Sequence, residues 1–419
     1  MLKVLPENLN DENALPHLSL DEIARLGAKK LLKEALELEV EEYVNNFKSL
    51  RDPDGKRIVV RNGKSKPRNI TMGSGTVDVQ APRVNDRREG QKYTSQILPP
   101  YLRKSPKVES VLPILYLKGL SGNAFNEALE GLLGENASGL SKSSISSLKK
   151  SWEKELGSWK QREINEKFVY LWADGVYVKV RLGEDKKVCL LVVVGVTDKG
   201  EKKLLAVEGG FRESKDSWKC IFNSLVSRGL NAPLVMIGDG ALGLWSAIRE
   251  VPEFKDTKEQ RCWVHKIANV LNHFPDRLKP KVKAMLHDMM KAESENMAIK
   301  GKKEFEKNFN EKYPKGVKCL LKDWDKVTTY FSFPAMHWQS IRTSNPIESA
   351  FATVKLRTKT TKGAGSTTMA EAMAFKLLTE AEKKWRKIKG FKKIEKLLNG
   401  GVYKDGNLVE KDGDQEAVA

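Results

Sequence analysis

The segment Phe168-Val-Tyr-Leu-Trp-Ala-Asp-Gly-Val-Tyr-Val-Lys-Val180 constrains the fold of this chain more than any other stretch. Its β-branched and aromatic residues suit a pleated, half-buried surface. At the strand period of two, Phe168, Tyr170, Trp172, Asp174, Val176 and Val178 fall on one face. One carboxylate, Asp174, therefore stands in an otherwise apolar row. Taking an unpaired carboxylate out of water is costly, so a buried Asp174 must be paired, protonated or bound to a cation. A second reading is a turn at Asp174-Gly175, because Asp-Gly favours tight hairpins. Other carboxylates arriving beside Asp174 would decide between the two.

The strands expected around this segment are Lys187–Thr197, Lys202–Glu208 and the continuous apolar run Ala232–Gly238. An amphipathic helix over Ser214–Gly229 separates the last two, and another begins at Leu242. Cys262-Trp-Val-His265 is read as the end of a further short strand. Three antiparallel strands, a helix, a buried strand, a helix and a short strand give the order of an RNase H-like α/β fold. In that order Asp174 lies on the central strand and Asp239, which ends the apolar run, lies beside it.

A third carboxylate would complete a hard-cation site, since Mg²⁺ takes oxygen ligands. Glu348 in Thr343-Ser-Asn-Pro-Ile-Glu348 is the candidate. A local reading competes: Asn345 as N-cap, Pro346 at the first helical position and Glu348 closing a capping box. Lys355 and Arg357 follow about two turns along the same helix, with Lys355 on the face of Glu348.

The rest of the chain is read around this core. Residues 1–50 are a helical segment, with a capping box at Ser19-Leu-Asp-Glu22 and an apolar stripe of Ile23, Leu26, Leu31, Leu32, Leu36 and Val40. Residues 51–106 read as a basic β-ribbon or linker, with strands at Ile58–Gly63 and Gly75–Gln80, able to track phosphates or merely to be solvated. Residues 107–165 are helical again. A helix over Ala124–Leu133, a break at Gly134–Ser138 and a helix capped by Ser141, with Lys142, Lys149 and Lys150, suit helix-turn-helix docking on DNA. The catalytic core then occupies 166–265, an all-α insertion 266–335, the core's C-terminal part with the acidic helix 336–400, and a polar tail 401–419.

The whole chain of 419 residues is 40% hydrophobic, enough for a sizeable core, and carries a formal charge of +19. Such a balance points to a polyanionic partner, nucleic acid above all. Four scattered cysteines make no disulfide framework, and the amino terminus lacks a signal peptide's apolar core. The longest apolar run, Cys189–Val196, is too short to span a bilayer. A reducing cytoplasm is expected, with no membrane partner.

Taken together, Asp174-Gly, Asp239-Gly, Cys262-Trp-Val-His265 and Ser344-Asn-Pro-Ile-Glu-Ser349 resemble the mutator-type bacterial insertion-sequence transposases. The resemblance runs from the first helix to about Lys389. It implies that Asp174, Asp239 and Glu348 form a DDE triad holding two Mg²⁺ ions, for which Mn²⁺ substitutes. It implies that Cys262, His265 and Asn345 support the site, and that Lys355 is the basic residue following the glutamate. Lys142, Lys149, Lys150 and Arg357 join Lys355 as expected DNA contacts. The reaction implied is strand cleavage and strand transfer at terminal inverted repeats in double-stranded DNA, by a homodimer or larger assembly at the bacterial nucleoid. Alternatives are a nuclease of the same fold that cuts without joining, and a silent DNA-binding descendant. Zinc at Cys262 and His265 would need further ligands, and Cys319, His273, His287 and His337 lie at no recognised spacing.

Overall fold

Ser19 opens helix α1 (Leu20–Asn46) through the expected capping box: its hydroxyl accepts the Glu22 amide while Glu22 accepts the Ser19 amide. The computed structural model describes residues 18–117, 120, 123–133, 142–181, 187–210, 212–360 and 363–409. The chain divides into two compact units, residues 1–148 and 149–419.

In the first unit α1 is followed by β1 (Val59–Lys64), β2 (Arg68–Met72), β3 (Gly75–Val79) and β4 (Pro82–Asp86). β1 pairs with β4 and β2 with β3, both antiparallel. The ribbon thus has two strands beyond the expected pair, Arg68–Met72 and Pro82–Asp86. Leu36 of α1 packs with Ile70, Val77, Val79 and Leu98, whereas Ile23 and Leu31 of the same stripe stay exposed. Several basic side chains here are engaged in ion pairs, Lys29 with Asp78 and Arg88 with Asp86 at 2.7 Å each. Helices α2 (Pro106–Leu117) and α3 (Asn123–Leu133) follow, and α4 (Lys142–Lys160) runs on into the second unit. The expected break at Gly134–Ser138 and the cap at Ser141 lie outside the described residues.

The second unit is a mixed α/β structure on a five-stranded sheet. Its strands are β5 (Phe168–Lys179), β6 (Lys187–Thr197), β7 (Lys202–Gly210), β8 (Val235–Gly238) and β9 (Lys258–Arg261), in the order β7-β6-β5-β8-β9. β5, β6 and β7 form an antiparallel meander, and β8 and β9 add in parallel with β5. Helix α5 (Lys215–Ser227) links β7 to β8, and α6 (Leu242–Glu250) lies between β8 and β9.

β5 runs through Asp174 and Gly175 without a break, opposite Val192 and Leu191 of β6. The turn reading of Asp174-Gly175 is therefore excluded. The predicted apolar face needs one correction. A register shift between Phe168 and Tyr170 leaves Val169 without a partner on β6, and this bulge rotates Phe168 into the opposite core with Leu171, Ala173, Trp218, Phe222 and Trp245. Tyr170 and Trp172 keep the expected face: the Tyr170 hydroxyl lies 2.8 Å from His337 Nδ1, and Trp172 Nε1 donates to the Thr343 carbonyl at 3.2 Å.

From Trp263 to Ile341 the elements are helices, α7 (Trp263–Leu271), α8 (Lys279–Lys291), α9 (Glu295–Phe309), α10 (Pro314–Leu321), α11 (Trp324–Thr328) and α12 (Ala335–Ile341). The buried side chain of Gln260 on β9 ties them to the sheet, donating to the Val327 carbonyl at 3.1 Å and accepting the Tyr330 amide at 2.7 Å. Helices α13 (Asn345–Thr360) and α14 (Thr367–Glu382) then return to the sheet. Lys160 of α4 bridges Glu208 on β7 and Glu371 on α14 at 2.6 and 2.7 Å. The expected polar tail is partly folded. After α15 (Lys393–Leu398), β10 (Val402–Lys404) and β11 (Asn407–Val409) make a hairpin turned at Asp405-Gly406. A Cβ on Gly406, whose φ is +78°, would stand 2.5 Å from the Ala335 methyl carbon, so the hairpin seats on α12 only with glycine there.

Candidate active site

Strand register assembles the first two acids. β5 pairs with β8 as Tyr170↔Val235, Leu171↔Met236 and Trp172↔Ile237. Carried two residues further, the same register sets Asp174 opposite Asp239. β8 pairs with β9 up to Gly238↔Arg261, and the next step brings Asp239 level with Cys262, whose amide donates to the Gly238 carbonyl at 2.7 Å. Asp174, Asp239 and Cys262 thus stand in a row at one edge of the parallel part of the sheet, where β8 and β9 end. In open α/β sheets the carboxyl ends of the strands are where ligands bind. Asp239 turns the chain out of β8, its Oδ1 accepting the Ala241 amide at 2.7 Å. Asp174 Oδ1 accepts the Gly175 amide at 2.8 Å.

Glu348 reaches this row because the residues before its helix are tied down. Trp263 donates its amide to the Arg342 carbonyl at 3.0 Å, and Trp172 holds the Thr343 carbonyl. The Ser344 amide and hydroxyl each lie 3.2 Å from Cys262 Sγ. Residues 342–344 are thereby anchored to β5 and to the head of α7. The amides of Ile347 and Glu348 both bond the Ser344 carbonyl at 3.0 Å, so α13 starts one residue earlier than the sequence suggested. Asn345 is its exposed first residue and not its cap, and Glu348 does not close a capping box. The Glu348 carboxylate instead accepts the Ser344 hydroxyl at 2.5 Å and keeps 36% of its side-chain surface open.

Cys262 and His265 open α7, since β9 ends at Arg261; the expectation that they close a strand is corrected. Spacing i, i+3 on the first turn puts both on one side of the helix. Cys262 Sγ, a His265 ring nitrogen and a Glu348 carboxylate oxygen all lie within 4.8 Å of one another. Among the described residues, Cys319, His273, His287 and His337 do not join this group. His337 is held by Tyr170 and by the Gly390 carbonyl. Three donors fall short of a closed structural zinc site, and the Ser344 hydroxyl is lodged among them.

The site has more negative charge than positive. Burial first, and then the neighbouring Asp239 charge, push the Asp174 carboxyl up to about 7. The Cys262 sulfur beside it raises the His265 imidazole to about 9 against the effect of burial, with Glu348 and Asp174 adding to the rise. Burial pushes the Cys262 thiol up, but the hydrogen bonds from His265 and Ser344 outweigh it and leave the thiol below its ordinary value. A fourth carboxylate, Glu213, was not foreseen. It precedes Ser214, the N-cap of α5, and its side chain lies over Gly175. Burial and then the Asp239 charge push its carboxyl up. Nothing in the local sequence marks it. Asp174, Asp239 and Glu213 stand outside the group of donors within 4.8 Å of one another, and what favours a hard divalent ion here is the oxygen chemistry of the carboxylates.

The description "Transposase, Mutator family" belongs to the family model that matches residues 5–388. The chain belongs to the Mutator family of transposases. The transposase for insertion sequence element IS6120 of Mycolicibacterium smegmatis is 45% identical over 308 residues, 73% of this chain and 94% of that protein. The transposase for insertion sequence element IST2 of Acidithiobacillus ferrooxidans is 42% identical over 296 residues, 70% of this chain and 99% of that protein. A more distant relative is the transposase for insertion sequence element IS256 in transposon Tn4001 of Staphylococcus aureus, 26% identical over 331 residues, 78% of this chain and 82% of that protein.

The basic residues expected on this transposase's DNA surface divide in the structure. Lys355 is exposed on α13, Lys150 is exposed on α4, and Lys149 is half-buried there. Arg357 is only 2% exposed, so its guanidinium points inward and meets no phosphate in this conformation. The helix period explains it: Arg357 lies three residues after the buried Val354, on the packed side of α13. The Lys142 side chain lies outside the described residues. Among those residues no helix is long and apolar enough to cross a membrane.

Proposed function

We propose that this transposase is a DDE enzyme with an RNase H-like core. It hydrolyses a strand at the terminal inverted repeats of an insertion sequence, and the freed 3′-hydroxyl attacks another phosphodiester. The observation that carries the reading is the parallel register of β5 and β8, which sets Asp174 beside Asp239. The strand order supports the core assignment, because β5 is central, β6 runs against it, and β8 and β9 extend it in parallel. The run of helices α7 to α11 supports an all-α insertion within such a core. The relatives' names, each tied to an insertion sequence, support the element's ends as the substrate.

Asp174, Asp239 and Glu348 would hold Mg²⁺, with Mn²⁺ able to substitute. Bound there, divalent ions supply a lowered pKa for the attacking water or 3′-hydroxyl and charge neutralisation at the leaving oxygen. The chain's own residues position this chemistry. Trp172 and Cys262 fix residues 343 and 344, and Ser344 orients the Glu348 carboxylate. His265 supplies positive charge beside Glu348, 3.7 Å away. Lys355, exposed two turns beyond Glu348, faces phosphate, and the net charge of +19 favours both end and target DNA. Cutting two ends calls for two or more copies on the DNA.

Cation-dependent stability tests the reading without DNA. With Mg²⁺ or Mn²⁺ at about a hundred times its Kd, the unfolding free energy should rise by about 2.7 kcal/mol at pH 8. At pH 5 a proton on Asp174 competes with the cation, and the gain should shrink severalfold. No gain at pH 8 with either ion would count against the site.

A further inference from the structure

Residues 59–86 of the first unit make one long antiparallel hairpin, turned at Gly73-Ser74 and interrupted where β1 gives way to β2 and β3 to β4. Its outer half, β1 with β4, lays one face on α1. There Arg61 pairs with Glu37, and Asp86 accepts the Tyr43 hydroxyl at 2.7 Å. Strand residues alternate in direction, so Val60, Asn62, Arg83 and Asn85 point away from α1. Asn62, Arg83 and Asn85 are exposed. A register shift between Arg61 and Lys64 sets Asn62 and Gly63 against Arg83, with Gly63 at a φ of +61°. Such a bulge re-aims the side chains around it.

In residues 51–106 Lys and Arg outnumber Asp and Glu more than two to one. The carboxylates of the ribbon and of α1 engage the other basic side chains: Glu37 takes Arg61 and Lys64, Asp52 takes Arg87, and Asp86 takes Arg88. Asn62, Arg83 and Asn85 make no side-chain hydrogen bond or ion pair among the described residues. The outward face therefore combines two amides and a guanidinium with no carboxylate among them. A two-stranded antiparallel ribbon fits the DNA major groove, which is about 12 Å wide. There an asparagine can bond adenine at N6 and N7, and an arginine can bond guanine at O6 and N7.

We propose that the β1–β4 ribbon reads the terminal repeat in the major groove, with Arg83 on a guanine edge and Asn62 and Asn85 on adenine edges beside it. The proposal rests on the reading of the element's ends as the substrate. Arg57 and Lys66, exposed just before and just after β1, supply phosphate contacts that carry no sequence information.

The test is binding of the full-length chain, without divalent ions, to a duplex carrying the element's own terminal repeat and to a scrambled duplex of equal length at the same salt. Arg83→Ala should weaken binding to the repeat by about 10- to 100-fold and to the scrambled duplex by less than about threefold. Replacing one guanine of the repeat by 7-deazaguanine, which lacks the N7 acceptor, should weaken wild type and leave Arg83→Ala unchanged. Asn85→Ala should behave likewise toward one 7-deazaadenine. Melting curves report folding, and Arg83→Gln takes the place of Arg83→Ala if that variant does not fold. Equal weakening on both duplexes with a shallower salt dependence would make Arg83 a phosphate contact and overturn base reading. Unchanged binding to both would take the ribbon off the DNA. Either result leaves the Asp174–Asp239 site standing, since cleavage reports on that site separately. No preference for the repeat by wild type would overturn both the ribbon's role and the terminal repeats as substrate.

Discussion

Asp174→Asn should lose metal-dependent cleavage by about a thousandfold or more and yet gain stability at pH 8. The loss corresponds to about 4 kcal/mol of transition-state stabilisation, as expected when a cation ligand is removed. The gain follows from burial. The Asp174 carboxyl titrates at about 7 in the folded chain against 3.8 for the free group. Below pH 3.8 the carboxyl is protonated folded or unfolded, and no stability is lost through it. Above that, the folded chain holds the proton more tightly, so each pH unit upward costs about 1.4 kcal/mol until the folded value is passed. By pH 8 the accumulated cost is about 4 kcal/mol. Asparagine removes that cost while its oxygen can still accept the Gly175 amide. Urea unfolding of the two proteins without divalent ions should show the variant ahead by about 1–2 kcal/mol at pH 5 and about 4 kcal/mol at pH 8. A variant less stable than wild type at pH 8 would mean that Asp174 is compensated within the protein alone.

Glu348→Gln should cost cleavage a similar thousandfold, about 4 kcal/mol, while stability changes by less than about 1.5 kcal/mol. The Ser344 hydroxyl can still donate to the glutamine oxygen, and the first turn of α13 hangs on the Ser344 carbonyl, which the substitution leaves alone. Binding to end DNA should persist. A variant that is markedly less stable but still cuts would assign Glu348 to building the helix start.

Much of this site was legible in the sequence, and the misses have physical causes. The period-two row through Trp172 and Asp174 is visible because both faces of β5 have work to do: one packs on α5 and α6, the other on α12, which carries His337, and on the link at Thr343 that leads into α13. Phe168 was assigned to the wrong face because a bulge at Val169 changes the register without changing composition. The start of α13 was misplaced by one residue because Asn345-Pro346 has good local cap chemistry, whereas Ser344 wins through tertiary bonds to Cys262. Arg357 read as a phosphate contact on charge alone, and only packing shows it turned inward. Glu213 could not be found by motif, since its placement depends on space left by Gly175 and Gly243, which are distant in sequence. The hairpin at Asp405-Gly406 is the opposite case. Its turn dipeptide was on display in a stretch that otherwise reads as polar tail.

The most direct measurement is a cleavage and strand-transfer assay with Mg²⁺ on duplex DNA bearing the element's own terminal repeats, comparing wild type with Asp239→Asn. Wild type should nick at the repeat end and yield products joined through the freed 3′-hydroxyl, and Asp239→Asn should bind the DNA and make neither. Equal products from the two proteins, or tight end binding by wild type with no chemistry under Mg²⁺ or Mn²⁺, would contradict a DDE site built on β5 and β8.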